Sequence, residues 1–168
     1  YTASTAIEKM AESYQSNVVR SKTKKQAIME EVLKRGDSNH RKSMERFSLY
    51  FDGLATIIGI MDLMAQENQE LSSLMENIPK FYMSTRDIEC PWTAKGKVMR
   101  SLIEDESKKN NNIELFEGIK INQEKGWTLI LPDSDEPLCR IYSEGMSEEY
   151  AEELSDFYEK KINRIKEQ

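Results

Sequence analysis

Residues 113–145, IELFEGIKINQEKGWTLILPDSDEPLCRIYSEG, are too regular in their apolar spacing for a loop and too often broken by turn formers for a helix. Short runs rich in Ile, Leu, Trp and Tyr are separated by Lys125-Gly126 and by the tight segment Pro132-Asp133-Ser134-Asp135-Glu136-Pro137. Strand, hairpin, strand, turn and strand is the expected order. Downstream, SEEYAEELSDFYEKKINRIKEQ predicts a helix with Ser147 at its N-terminus and Ala151, Leu154, Tyr158, Ile162 and Ile165 along one face. Its acidic first half and basic second half suit the helix dipole. Upstream, residues 93–108 place Val98, Met99, Leu102 and Ile103 on one helical face, and FYMSTRDIECP (81–91) reads as a strand ended by Pro91. Residues 81–168 are thus expected to form an antiparallel sheet covered by two helices.

The first half reads differently. Residues 4–14 predict a helix with Ser4 or Thr5 as its cap, and NVVRS (17–21) a short strand. KKQAIMEEVLKRG (24–36) predicts a helix stopped by Gly36. GDSNHRKSMER (36–46) lacks an apolar face and is expected to be a mobile loop. RFSLYFD (46–52) alternates Phe47, Leu49 and Phe51 as a strand would. The apolar run 53–66 predicts a buried helix, followed by a shorter one over 70–77 before Pro79. Alternating helix and strand is the pattern of an α/β layer. The fold class expected for the whole chain is α+β: a partial α/β domain over 1–80, then the sheet-and-helix domain over 81–168.

Composition removes several function classes. A formal net charge of −6 over 168 residues offers no clustered basic face for nucleic acid or an anionic membrane. The run Leu54–Ala65 contains Asp62 and is too short to span a bilayer. No basic, apolar and small-residue layout of a signal peptide opens the chain, and a cytoplasmic protein is expected. YTASTAIEKM begins without Met, as expected of a piece of a longer protein. Two cysteines, Cys90 and Cys139, and one histidine, His40, make neither a disulfide framework nor a zinc site, and both cysteines are expected to be reduced. No metal-ligating set and no cofactor are expected in this chain.

Four short features invite a chemical reading. Thr2-Ala3-Ser4 has the look of a nucleophile loop, but no base follows within reach, and a helix cap accounts for it. Lys95-Gly96-Lys97 with Arg100 lacks the glycines and hydroxyl of a nucleotide loop and is expected to be a solvated face. Asp52-Gly53 is expected to be a turn. The fourth is Pro132–Arg140. A tight turn with hydroxyls and free amides, followed by Arg, can hold phosphate. Asp133, Asp135 and Glu136 oppose that use, because two like charges about 4 Å apart cost on the order of 4 kcal/mol near a protein surface.

PDSDEPLCRIYSEG resembles the C-terminal phosphate-binding loop of the α-D-phosphohexomutases, the phosphomannomutase/phosphoglucomutase family. That loop reads Arg-Pro-Ser-Gly-Thr-Glu-Pro, two residues, Arg, then a strand ending in Glu-Ala. Pro132, Glu136, Pro137, Arg140 and Glu144 match in order and spacing. SEEYAEELSDFYEKKI is similar to the family's last helix. FDGLATIIGIMDLMAQENQELSSLMENIPKFY is similar to the segment from its sugar-loop Asp-Gly to its Pro-Tyr signature. CPWTAKGKVMR resembles a subgroup fused behind a mannose-1-phosphate guanylyltransferase-like nucleotidyltransferase. The resemblance implies the back part of the family's third, α/β domain over 1–80 and its complete, TBP-like fourth domain over 81–168.

The departures are as specific as the matches. Leu131 stands where the loop's first Arg is expected, and Asp133, Ser134 and Asp135 replace Ser, Gly and Thr. The sugar motif Gly-Glu-(Met/Phe/Tyr)-Ser-Gly-His is not recognisable at Gly36-Asp37-Ser38-Asn39-His40. Neither the phosphoserine loop Thr-Ala-Ser-His-Asn-Pro nor the magnesium loop Asp-Gly-Asp-Gly-Asp-Arg occurs in the chain. The resemblance implies a degenerate phosphate loop of Ser134, Asp135, Glu136 and Arg140, with hexose phosphate held weakly at most. It implies no catalytic residue here, magnesium only in a longer active mutase, and upstream mutase domains as partners. The longer protein would be a phosphohexomutase, or a sugar-1-phosphate nucleotidyltransferase in which this chain is a non-catalytic regulatory or oligomerisation module.

Overall fold

The computed structural model describes residues 1–34, 40–109 and 111–167. The chain forms two compact units: Tyr1 with Ala6–Pro79, and Thr2–Thr5 with Lys80–Gln168. Together they hold seven described helices and one five-stranded antiparallel sheet, an α+β fold.

The described part of the first unit is helical: α1 (Ala6–Ser13), α2 (Lys25–Lys34), α3 (His40–Phe51), α4 (Gly53–Glu67) and α5 (Leu71–Glu76). Four expectations are corrected. NVVRS is not a strand. A strand needs a neighbour for its N–H and C=O groups, and no described segment of this unit pairs with it. Arg20 is held instead by Glu8, with Nε–Oε1 at 2.7 Å and Nη2–Oε2 at 2.6 Å. Residues 40–46, read as loop, and 46–51, read as strand, are both helix. Three alternating apolar residues are too few to separate a period of 2 from one of 3.6. Phe47 and Phe51, four apart, meet on one helical face with ring centroids 4.7 Å apart. The stop at Gly36 lies outside the described residues.

Asp52 is the turn residue expected, but it joins two helices. Its Oδ1 accepts from Leu54 N–H at 2.9 Å and Ala55 N–H at 3.3 Å, which caps α4. Asn68, at φ 49°, closes α4 in the left-handed conformation and donates its N–H to the Met64 carbonyl. The fourth correction concerns burial. α4 has no buried residue, and Leu54, Ile57, Ile58, Met61 and Leu63 are exposed. An open groove of about 640 Å³ runs between α3 and α4, lined by Met44, Leu49, Ala55 and Ile58, with Asp62 on its wall.

The second unit carries β1 (Tyr82–Glu89), α6 (Trp92–Lys108), β2 (Asn112–Glu114), β3 (Ile119–Gln123), β4 (Gly126–Pro132), β5 (Leu138–Gly145) and α7 (Glu148–Glu167). Strand order is β1-β5-β4-β3-β2, antiparallel throughout, so β1 crosses over to pair with β5 along its full length, from Tyr82↔Gly145 to Glu89↔Leu138. A two-residue turn at Glu124-Lys125 joins β3 to β4, and Gly126 follows it. Gly126 has to be glycine because a Cβ would run into the Glu144 carbonyl on the neighbouring strand.

Both helices cover one face of the sheet. Ile88, Ile119, Ile121, Ile130 and Ile141 from the strands meet Val98 and Leu102 of α6 and Tyr158, Ile162 and Ile165 of α7. Met99 and Ile103 pack at the margin of that core. Ser147 Oγ accepts the Tyr150 N–H at 3.2 Å and caps α7 as its sequence predicts. Between the helices lies a fully buried Glu106. Lys161 Nζ stands 2.6 Å from its Oε1, and Asn111 Nδ2 donates to its Oε2 at 2.7 Å. Burial alone would raise the Glu106 carboxyl, but the hydrogen bonds from Lys161 and Asn111 outweigh it and hold the group below its usual range. Cys90 and Cys139 are free, fully buried thiols. Burial and the neighbouring Cys90 push the Cys139 thiol up to about 12. Among the described residues no helix is long and apolar enough to cross a membrane, and no group of three or more His, Cys, Asp or Glu is placed to hold a metal ion.

Candidate functional site

The turn between β4 and β5 spans Pro132–Pro137, and it is built more tightly than a hairpin requires. Its base is closed by Asp133 N–H donating to the Leu138 carbonyl (3.0 Å). Its far side is tied to the end of β1, where Cys90 N–H donates to the Pro137 carbonyl at 2.7 Å. Lys95, in the first turn of α6, completes the frame. Its ammonium donates to the carbonyls of Asp133 (2.6 Å) and Glu136 (2.5 Å) and lies 3.6 Å from the centroid of the Trp92 ring. The expectation of a solvated face therefore fails for Lys95, which is 9% exposed, and holds for Lys97 and Arg100. Spacing alone could not single out Lys95, since the carbonyls that bind it lie 38 and 41 residues away.

Two amides of the turn point at its own Asp133. Asp135 N–H and Glu136 N–H donate to Asp133 Oδ1 at 2.7 and 2.8 Å. The other oxygen, Oδ2, stands 3.1 Å from Arg140 Nη2. Those amide bonds, aided by the charges of Arg140 and Lys95, hold the Asp133 carboxyl below the usual aspartate range. Arg140 also faces Glu136 Oε2 at 3.6 Å and Asp87 Oδ1, on β1, at 3.5 Å. Ser134 Oγ donates to Asp135 Oδ2 at 2.9 Å.

Of the four residues named from the sequence, Glu136 and Arg140 come together through side chains. Asp135 joins them through its backbone amide, and Ser134 turns its hydroxyl to Asp135. Sequence reasoning named neither Asp87 nor Lys95 as part of the turn's surroundings. Asp87 becomes visible only once β1 is known to pair with β5, opposite Arg140. Leu131 is also directly opposite Arg140, on β4, so an Arg there would set two guanidinium groups side by side.

Glu144, matched by spacing at the far end of β5, is 7% exposed and gathers four donors. Trp127 Nε1–H (2.9 Å), Thr5 N–H (2.9 Å), Thr5 Oγ1–H (2.5 Å) and Ser4 Oγ–H (3.2 Å) all reach its carboxylate. The Ser4 and Thr5 hydroxyls thus both meet one carboxylate of β5, that of Glu144. Their partner lies about 140 residues away in sequence, at separations of 140 and 139.

The Asp135 and Glu136 amides and Arg140 surround the Asp133 carboxylate, an arrangement of donors of the kind that holds an anion.

No family model matches the chain. It is similar to the phosphoglucosamine mutase of Methanococcus maripaludis, at 29% identity over 161 residues, 92% of this chain and 36% of that protein. It is similar to the phosphoglucosamine mutase of Methanocaldococcus jannaschii, at 28% over 171 residues, 98% of this chain and 38% of that protein. The phosphoglucomutase/phosphomannomutase of Thermococcus kodakarensis is 32% identical over 120 residues, 70% of this chain and 26% of that protein. The chain spans between about a quarter and two fifths of the length of these curated relatives. Over most of its length it is therefore similar to part of a phosphohexomutase.

Proposed function

We propose that this chain is the C-terminal part of a phosphohexomutase-like protein of sugar-phosphate and nucleotide-sugar metabolism. Residues 1–80 belong to the back of its α/β domain, and 81–168 form the domain that closes over a hexose phosphate. The observation that carries this reading is the shape of the 132–140 segment. A lysine-framed turn with inward amides at Asp135 and Glu136 and a guanidinium at Arg140 stands where the resemblance puts a phosphate loop. Its part is positioning: the loop would grip the phosphate that does not react, while chemistry proceeds on groups in other domains. The exposed apolar face of α4 supports the same reading, since a helix apolar on most sides belongs inside a larger domain.

The grip is degenerate. Ser134, Asp135, Glu136 and Arg140 offer one guanidinium against three carboxylates, counting Asp133, so hexose phosphate binds weakly at most. That same loss favours a second reading, a non-catalytic regulatory or oligomerisation module behind a mannose-1-phosphate guanylyltransferase.

The restored loop tests the proposal. Leu131→Arg, Asp133→Ser, Ser134→Gly and Asp135→Thr together remove two negative charges and add one positive charge. In calorimetry this variant is expected to bind glucosamine 6-phosphate or mannose 1-phosphate at least about tenfold more tightly than the native chain, roughly 1.4 kcal/mol. It should also prefer those hexose phosphates to inorganic phosphate. Binding of inorganic phosphate alone, with no preference for the sugar, would overturn the hexose-phosphate reading and leave the module.

A further inference from the structure

The turn is not merely too negative for an anion; it already holds one. We infer that the Asp133 carboxylate is the built-in occupant of the 132–140 anion seat, so that an external phosphate or sulfate has to displace it before it can bind. This rests on reading that segment as an anion seat, and it specifies how the seat is regulated.

The geometry separates Asp133 from its two acidic neighbours. Asp133 alone uses both carboxylate oxygens on seat groups: Oδ1 on the Asp135 and Glu136 amides at 2.7 and 2.8 Å, and Oδ2 on Arg140 at 3.1 Å. Its side chain is 14% exposed, whereas that of Glu136 is 59% exposed. Asp135 is exposed and turns its carboxylate to the Ser134 hydroxyl. A carboxylate with two amides and a guanidinium makes the same kinds of contact that two phosphate oxygens would make. Lys95 and Cys90 hold the turn through the Asp133, Glu136 and Pro137 carbonyls, contacts that do not use the occupant's carboxylate. Removing that carboxylate is therefore expected to leave these contacts in place and the seat open.

Two accounts of weak binding now diverge. If diffuse repulsion is the cause, neutralising any of the three carboxylates strengthens binding alike. If occupancy is the cause, only emptying the seat does so, and a neutral side chain that still fills it changes little.

The probe is sulfate or inorganic phosphate, titrated by calorimetry and amide NMR into the 168-residue chain and three variants. Asp133→Ala empties the seat and is expected to bind sulfate at least tenfold more tightly, with the largest amide shifts at residues 135 and 136. Asp133→Asn keeps an acceptor for both amides and is expected to gain no more than about threefold. Asp135→Asn, outside the seat, is expected to gain no more than about twofold. Unchanged amide spectra over β4 and β5 establish that Asp133→Ala is folded. Equal gains for all three variants would replace occupancy with charge repulsion. No gain for Asp133→Ala in a folded chain would show that the seat binds no anion at all. Sulfate carries no sugar, so these results stand apart from the hexose-phosphate preference of the restored loop.

Discussion

α7 and α4 are both legible in the sequence, one from its apolar stripe and the other from its apolar run, yet the chain treats them in opposite ways. α7 buries Ala151, Leu154, Tyr158, Ile162 and Ile165 against the sheet. α4 is the more apolar of the two, and buries nothing; Leu54, Ile57, Ile58, Met61 and Leu63 are all exposed. The difference lies in what else each unit contains. In the second unit every strand from β1 to β5 has a neighbour, and the sheet offers one continuous apolar face. In the described part of the first unit no sheet is present, so the most apolar helix has only other helices to meet. Hydrophobicity sets the driving force for burial, but burial itself needs an opposing surface.

The contrast is broken most directly at single apolar side chains. Leu102, fully buried in α6, is expected to cost about 3 kcal/mol when truncated to alanine, through lost transfer energy and the cavity left behind. Ile57→Ala in α4, 56% exposed, is expected to cost no more than about 0.5 kcal/mol. Both tryptophans, Trp92 and Trp127, lie in the second unit, so urea unfolding by tryptophan fluorescence follows that unit and far-UV circular dichroism follows both. Equal losses at the two sites would mean that the first unit has a core of its own.

Glycines sharpen it further. Gly126→Ala would drive a Cβ into the Glu144 carbonyl, a rigid strand backbone, and is expected to cost about 2 kcal/mol. Gly59→Ala in α4 would meet only Leu49 Cδ2, 2.7 Å away and at the free end of a half-exposed side chain. The gain in helix propensity, about 1 kcal/mol, offsets that displacement, and a net change within about 0.5 kcal/mol is expected by thermal unfolding.

The effect expected at Glu106 depends on pH. The folded-state carboxyl of Glu106 lies below the ordinary value of 4.5, so its contribution is fully present above about pH 4.5 and is lost as pH falls through the lowered folded value. Glu106→Gln keeps acceptor capacity but removes the charge that meets Lys161, and is expected to cost about 1.5 kcal/mol at pH 7. The difference from the native chain should narrow as pH falls below 4.5. A difference constant from pH 7 to pH 3 would place the role of Glu106 in packing rather than charge.

Elements held by local pattern were legible in advance, and those that depend on partners were not. The face of α7, its Ser147 cap, the strand at 82–89 and a hairpin near Lys125-Gly126, whose turn falls one residue earlier at Glu124-Lys125, follow from period, capping and turn chemistry, which act over a few residues. The strands expected at 17–21 and 46–52 failed because strand formation needs a second segment: 46–51 is helix, which satisfies the backbone by itself, and 17–21 takes no regular structure. At the candidate site, Glu136 and Arg140 were visible through their spacing in one segment. Lys95 and Asp87 were not, since each reaches the turn from another element.

The residues alone thus determined the period of the longer elements of the second unit, the acidity of the 132–137 turn and the spacing of its prolines and Arg140. They do so because those properties are carried along the chain itself. Only the tertiary structure decided which carboxylate meets the two amides and Arg140, which lysine is buried beneath the turn and which apolar helix stays exposed. Each of these outcomes depends on groups brought together from distant positions, and a linear pattern holds no information about the distance between them.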